Sequence, residues 1–323
     1  MKRCAILVVI LAVAACSSSS SSPASSSDGG VDSGDDGSVG GAQACTDLAT
    51  AYCTKIQSCA PVFVEVSFGD VGGCVARASQ SCVTALGAKG TSAAPATHSA
   101  CAKAFGAAVC DDLLNGKPPA ACVIAPGTLA DAAACGEDAQ CHSAFCGKAA
   151  GSYCGTCART PASGDSCIGG RCGLSLACGG NGKCVAPGAV GATCDANTPC
   201  LTTLSCGNGK CAAALAPGAT CDPQQKTTAG CQTTAGYYCN AVTTKCTLVT
   251  VGTTNQQCGV ARNTLTLCSS AGYCRGATST TTGVCIGAAA DGAACNDSMG
   301  PSCMAGAHCV NAACKPDDPA MCN

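Results

Sequence analysis

Residues 167–184 read CIGGRCGLSLACGGNGKC: four cysteines, Cys167, Cys172, Cys178 and Cys184, with an Asn-Gly pair between the last two. A segment with so few apolar side chains cannot fold by burying them, and units of this size need disulfides, metals or partners. Asn-Gly is the strongest short-range signal for a β-hairpin, because both residues accept the positive φ of a tight turn. The stretch therefore predicts a short hairpin stapled by its own cysteines.

The same quartet recurs on both sides of it. Upstream stand Cys135, Cys141 and Cys146 with either Cys154 or Cys157. Downstream come Cys194, Cys200, Cys206, Cys211; Cys221, Cys231, Cys239, Cys246; Cys258, Cys268, Cys274, Cys285; and Cys295, Cys303, Cys309, Cys314. First cysteines step by 32, 27, 27, 37 and 37 residues, which leaves Cys322 and one of Cys154/Cys157 outside the pattern. Gly164, Gly191, Gly218 and Gly292 stand three residues before a first cysteine, with Asn255 in that place before Cys258. Glycine, and Asn after it, marks a backbone that visits the left-handed region. Ala132 breaks the rule in the first quartet.

Before Cys135 the logic is helical. Cys45, Leu48, Tyr52, Ile56 and Cys59 share one face of a 3.6-residue repeat, with Thr46 and Asp47 placed to serve its first turn. A second face reads Val71, Cys74, Val75, Ala78, Cys82 and Leu86, opened by Asp70 as its cap. Cys101, Phe105, Val109 and Leu113 make a third, ended by Lys117-Pro118-Pro119. With Cys53, Cys110 and Cys122 these make eight cysteines, enough for four disulfides in any of 105 pairings. The expected fold class is small and disulfide-rich: a stapled α-helical domain over residues 45–126, then about six cysteine-rich β-hairpin modules over 127–323.

CGEDAQCHSAFCG, residues 135–147, is similar to the Dickkopf amino-terminal cysteine-rich repeat found in lipoproteins of myxobacteria and their relatives. FGDVGGCVAR, residues 68–77, resembles the region that precedes such repeats. The resemblance implies extracytoplasmic display and carries no known chemistry.

The amino terminus reads the same way. Residues 1–15 have the positive start, short apolar run and small-residue end of a secretory signal, too short to span a bilayer. Val13-Ala14-Ala15-Cys16 resembles the lipobox of bacterial lipoproteins, which implies a lipid on Cys16; Ser17 after it implies the outer membrane. Residues 16–44 are Ser, Gly and Asp with almost nothing apolar, a disordered tether spanning about 30 Å root-mean-square. Asp28, Asp32, Asp35 and Asp36 lack the spacing of a calcium loop and read as solvating charge.

Of 36 cysteines, Cys4 leaves with the signal and Cys16 takes the lipid, so an even 34 remain. That density, in an exported chain, reads as disulfides. The formal net charge of −2 falls to −4 once Lys2 and Arg3 are removed, and no basic patch recruits nucleic acid. The expected partners are the membrane, through the lipid, and a protein or glycan ligand; no cofactor is expected. Cys154-Gly-Thr-Cys157 has the spacing of a thiol-disulfide oxidoreductase motif but lacks its strand–helix setting. Cysteine clusters could instead hold zinc or copper, although export favours oxidation of thiols. His98, His142 and His308 lie far apart, so no nucleophile–base pair suggests itself. His98 reads as a solvated helix-terminus residue and His308 as a packing residue beside Cys309.

Overall fold

The structure is a computed structural model that describes residues 40–261, 263–278 and 281–322; the signal, Cys16 and most of the tether lie outside them. Helix α1, Gly41–Cys59, is the axis of the amino-terminal unit. Its stripe buries Cys45, Leu48, Tyr52, Cys53 and Ile56 against α3, Val71–Leu86, and α4, Pro95–Phe105. Two rungs, Cys45–Cys82 and Cys53–Cys74, lock α1 and α3 antiparallel. On each helix the two rung cysteines stand eight residues apart, a spacing that keeps both within one apolar stripe. Cys59–Cys110 ties α1 to the short α5, Cys110–Leu114, and Cys101–Cys122 ties α4 to the turn Ala120–Cys122. Asp70 caps α3 as expected, its Oδ1 accepting from the Gly73 N–H at 2.7 Å.

Three expectations for this unit change, and one further helix appears. α1 starts at Gly41, inside the expected tether, so Thr46 and Asp47 are interior; Thr46 Oγ1 donates to the Ala42 carbonyl and Asp47 accepts from Gln43 Nε2. Pro61 ends α1 and opens α2, Pro61–Phe68, whose valines read poorly as helix but pack as one. The third stripe is two helices, because the chain leaves the helix at Gly106 and leaves Val109 60% exposed. His98 lies within α4 and is fully buried, not solvated.

The six modules share one plan. The third and fourth cysteines are directly opposite on an antiparallel ladder: Cys146 with Cys157, Cys178 with Cys184, Cys206 with Cys211, Cys239 with Cys246, Cys274 with Cys285, and Cys309 with Cys314. First bridges third and second bridges fourth throughout, and Cys157 is the fourth cysteine of the first module. In every module the N–H three residues before the first cysteine donates to the fourth cysteine's carbonyl, at 2.8–2.9 Å. That residue has positive φ each time, including Asn255 at 71° and Ala132 at 66°. Ala132 breaks the sequence rule but not the backbone rule. The fifth module departs from a plain hairpin: its stretched, Thr- and Val-rich loops make a five-stranded sheet with one parallel pairing, Thr250–Gly252 beside Thr266–Cys268.

The two cysteines left over pair with each other. Cys154–Cys322 spans 168 residues and joins the first module to the end of the sixth. The array is thereby closed, and it runs round the helical unit. Gln140 of the first module donates to the Lys89 carbonyl at 2.9 Å. The third module gives the Thr202 N–H to Asn115 Oδ1 at 2.6 Å. The fourth packs Thr233–Ala235 on α2, and the fifth donates the Ala271 N–H to the Val66 carbonyl at 2.6 Å. From the sixth, the Ala305 carbonyl accepts from Arg77 Nε at 2.6 Å, and Asp291 pairs with Arg77 at 2.7 Å.

A left-handed backbone costs a non-glycine residue about 1–2 kcal/mol, part of which glycine returns as chain entropy. Ala132→Gly, and Ala312→Gly in the Asn311-Ala312 turn where φ is 59°, should each raise stability by about 0.5–1 kcal/mol in denaturant unfolding. Opening the array with Cys154→Ala/Cys322→Ala should cost about 2–4 kcal/mol, less than a bare loop of that length implies, because the other bridges already shorten it. Hydrogen exchange of that variant should accelerate first around residues 295–322; uniform acceleration would mean the seam has no local role.

Candidate functional site

Cys154 and Cys157 do not face each other as a redox pair. Cys157 bridges Cys141 inside its module while Cys154 bridges Cys322 across the seam. Tyr153 sits at the same seam, its hydroxyl donating to Glu137 Oε1 at 3.1 Å and Lys148 Nζ lying 4.5 Å from its ring centre. Burial holds the Glu137 carboxyl above its usual range, and burial together with that carboxylate holds the Tyr153 phenol up. His308 stacks beside Tyr153 and pairs with Asp317 at 2.5 Å, so it is more than a packing residue. These groups stabilise the closure.

Cysteine sulfurs do gather as a metal site would need. Cys135, Cys141 and Cys157, and Cys45, Cys82 and His98, have ligand atoms within 4.8 Å of one another. Each of these sulfurs is already half of a disulfide, whereas a metal binds the thiolate. The three histidines remain separate: His142 is exposed, His308 is at the seam, and His98 is inside the helical unit.

The site that the fold does build lies where the helices meet the first two modules. A cavity of about 270 Å³ opens between Tyr52 and Ile56 of α1, Phe105 of α4, Leu113 of α5, Phe145 of the first module and Leu174 of the second. Tyr52 and Phe105 meet edge to face with centroids 5.7 Å apart. One wall is polar. Asp138, 6% exposed, accepts from the Cys146 N–H at 2.8 Å and pairs with Arg171. Arg171 also donates to the Cys146 carbonyl at 3.1 Å and stacks on Phe145 with Cζ 4.9 Å from the ring centre. The guanidinium therefore ties the second module to the first and fixes the cavity floor. Pockets of this kind, apolar with a few convergent polar groups, are where small ligands bind.

None of these lining residues stood out as a site in the sequence. Tyr52, Ile56, Phe105 and Leu113 appear there as core stripe, and Arg171 sits in an ordinary cysteine loop. The one signal was a tyrosine, with its polar end, on a stripe otherwise free of polar groups. Comparison with known protein families, curated proteins and solved structures found no match.

His98 generates a prediction of its own. Its two ring nitrogens have no hydrogen-bond partner among the described residues, and burial lowers its pKa to about 4. The unfolded chain, with an ordinary value near 6.5, then binds a proton that the folded chain refuses. Stability is unaffected above about pH 6.5 and falls as pH drops toward 4, by up to about 1.4 kcal/mol per unit. His308 acts in the opposite sense, because Asp317 raises its pKa and favours the acid side. The difference between wild type and His98→Leu isolates the first effect: the variant should lose this acid destabilisation in unfolding curves at pH 7, 5.5 and 4.5.

Proposed function

We propose that this chain is a non-catalytic lipoprotein of the bacterial cell envelope, anchored through Cys16 to the outer membrane, that offers its closed array of modules as a binding surface. The observation that carries the reading is the completeness of the cross-linking. All 34 cysteines among the described residues form 17 disulfides, including the one that closes the array. Such bridges persist in an oxidising compartment, and the chain is a disulfide-rich module of the kind made for one. Stapled loops of this sort present side chains in fixed positions without a large core behind them. Among the described residues no helix is long and apolar enough to cross a membrane, so the lipid on Cys16 would be the anchor.

The anchor is tested by Cys16→Ala. The variant should leave the membrane fraction or accumulate unprocessed, while wild type remains with the membrane until detergent is added. Normal processing with unchanged retention would overturn the anchoring.

A further inference from the structure

The cavity between the helices and the first two modules contains a hydroxyl with no protein partner among the described residues. Tyr52 is 9% exposed and lines the cavity, yet its hydroxyl makes no hydrogen bond to any described residue. The ring is buried but the oxygen is not enclosed, so the hydroxyl opens into the cavity with its donor free for whatever occupies it. Its pKa is raised to about 12 by burial, so it is a donor, not a phenolate, at any physiological pH. The lining also carries a charge of each sign, already joined in the Arg171–Asp138 pair. An anionic ligand would meet an arginine whose charge is met and a carboxylate that repels it; a cationic one would meet the reverse.

We infer that this cavity binds a small neutral molecule with a largely apolar body and one hydrogen-bond acceptor, a carbonyl or ether oxygen, directed at the Tyr52 hydroxyl. Size sets the body. An apolar cavity of roughly 150 Å³ holds benzene, so one of about 270 Å³ accepts a bicyclic or branched skeleton of roughly ten to thirteen heavy atoms. Ile56, Phe105, Leu113 and Phe145 supply its apolar contacts. The inference rests on the reading of the chain as a binding protein and adds to it a second class of ligand, held between the helices and the array instead of on the outer surface.

The test is equilibrium dialysis of the full chain against two matched probes, 2-acetylnaphthalene and 2-ethylnaphthalene, which share a skeleton and differ in the carbonyl. Wild type should bind both. Tyr52→Phe should weaken the ketone about fivefold, the worth of one hydrogen bond, while changing the hydrocarbon less than about twofold. Val123→Trp, at a cavity-lining position that is 43% exposed and so tolerant of a larger side chain, should reduce binding of both. Thermal unfolding of each variant confirms that it is folded. Three results would overturn the inference: no binding of either probe by wild type, equal weakening of both by Tyr52→Phe, or tighter binding of 2-naphthoate than of the ketone. None of the three touches the anchored-surface reading, which stands or falls on the membrane retention of Cys16→Ala.

Discussion

In every module the third and fourth cysteines stand opposite each other across a two-stranded ladder, so their side chains leave the same face side by side. The rest of the module hangs from that juxtaposition. The two sulfurs do not join each other; each reaches back to the incoming segment, the first cysteine to the third and the second to the fourth. Two backbone bonds hold that segment in place. The left-handed residue donates to the fourth cysteine's carbonyl, and the fourth cysteine's N–H donates to the residue after it. Four such constraints replace a hydrophobic core in a unit of about thirty residues, which lacks the apolar area to make one.

Modules held this way are rigid individually and meet their neighbours through polar bonds, such as Gly230 N–H to Ser205 Oγ and Ser302 Oγ to the Ala271 carbonyl, instead of through a packed core. The helical unit supplies what they lack. It has a packed core, with Leu48, Ile56, Val64, Phe105 and Leu113 buried together, and it touches the first, third, fourth, fifth and sixth modules while the second shares the cavity lining with it. The Cys154–Cys322 bridge then prevents the array from peeling away from either end. The helices thus contribute burial and the modules covalent restraint, and the closing bridge makes each dependent on the other.

Local features were legible in the sequence because they are written in consecutive residues. The quartet, its hairpins, the glycine three residues ahead of the first cysteine and the Asp70 cap all depend on spacing alone. What escaped was whatever long-range packing decides. Cys154 and Cys322 are equivalent to other cysteines until the array's two ends are seen to meet. His98 reads as solvated when the third helical stripe is begun at Cys101, yet α4 starts at Pro95 and its phase turns His98 inward toward the Cys45–Cys82 bridge. Ala132 looked like an exception because residue preference was read for backbone conformation; the hydrogen bond to Cys157 imposes positive φ whichever side chain is present.

The cavity between the helices and the first two modules escaped for a related reason that bears on what the protein can do. Its lining comes from segments of four kinds: helix stripe, the loop before the modules, the first hairpin and a cysteine loop of the second. No spacing rule links them. A rigid module cannot reshape itself to fill a gap against a helix, because its bridges fix its outline before the two surfaces meet. Where helices pack on helices, side chains interdigitate and space closes; where a stapled loop lies on a helix, mismatch persists as a void with walls of defined shape. The Arg171–Asp138 pair holds that mismatch constant by tying two modules together at its edge. The same covalent economy that lets so poor a sequence fold therefore leaves, at its junction with a packed core, a largely apolar recess into which the Tyr52 hydroxyl opens.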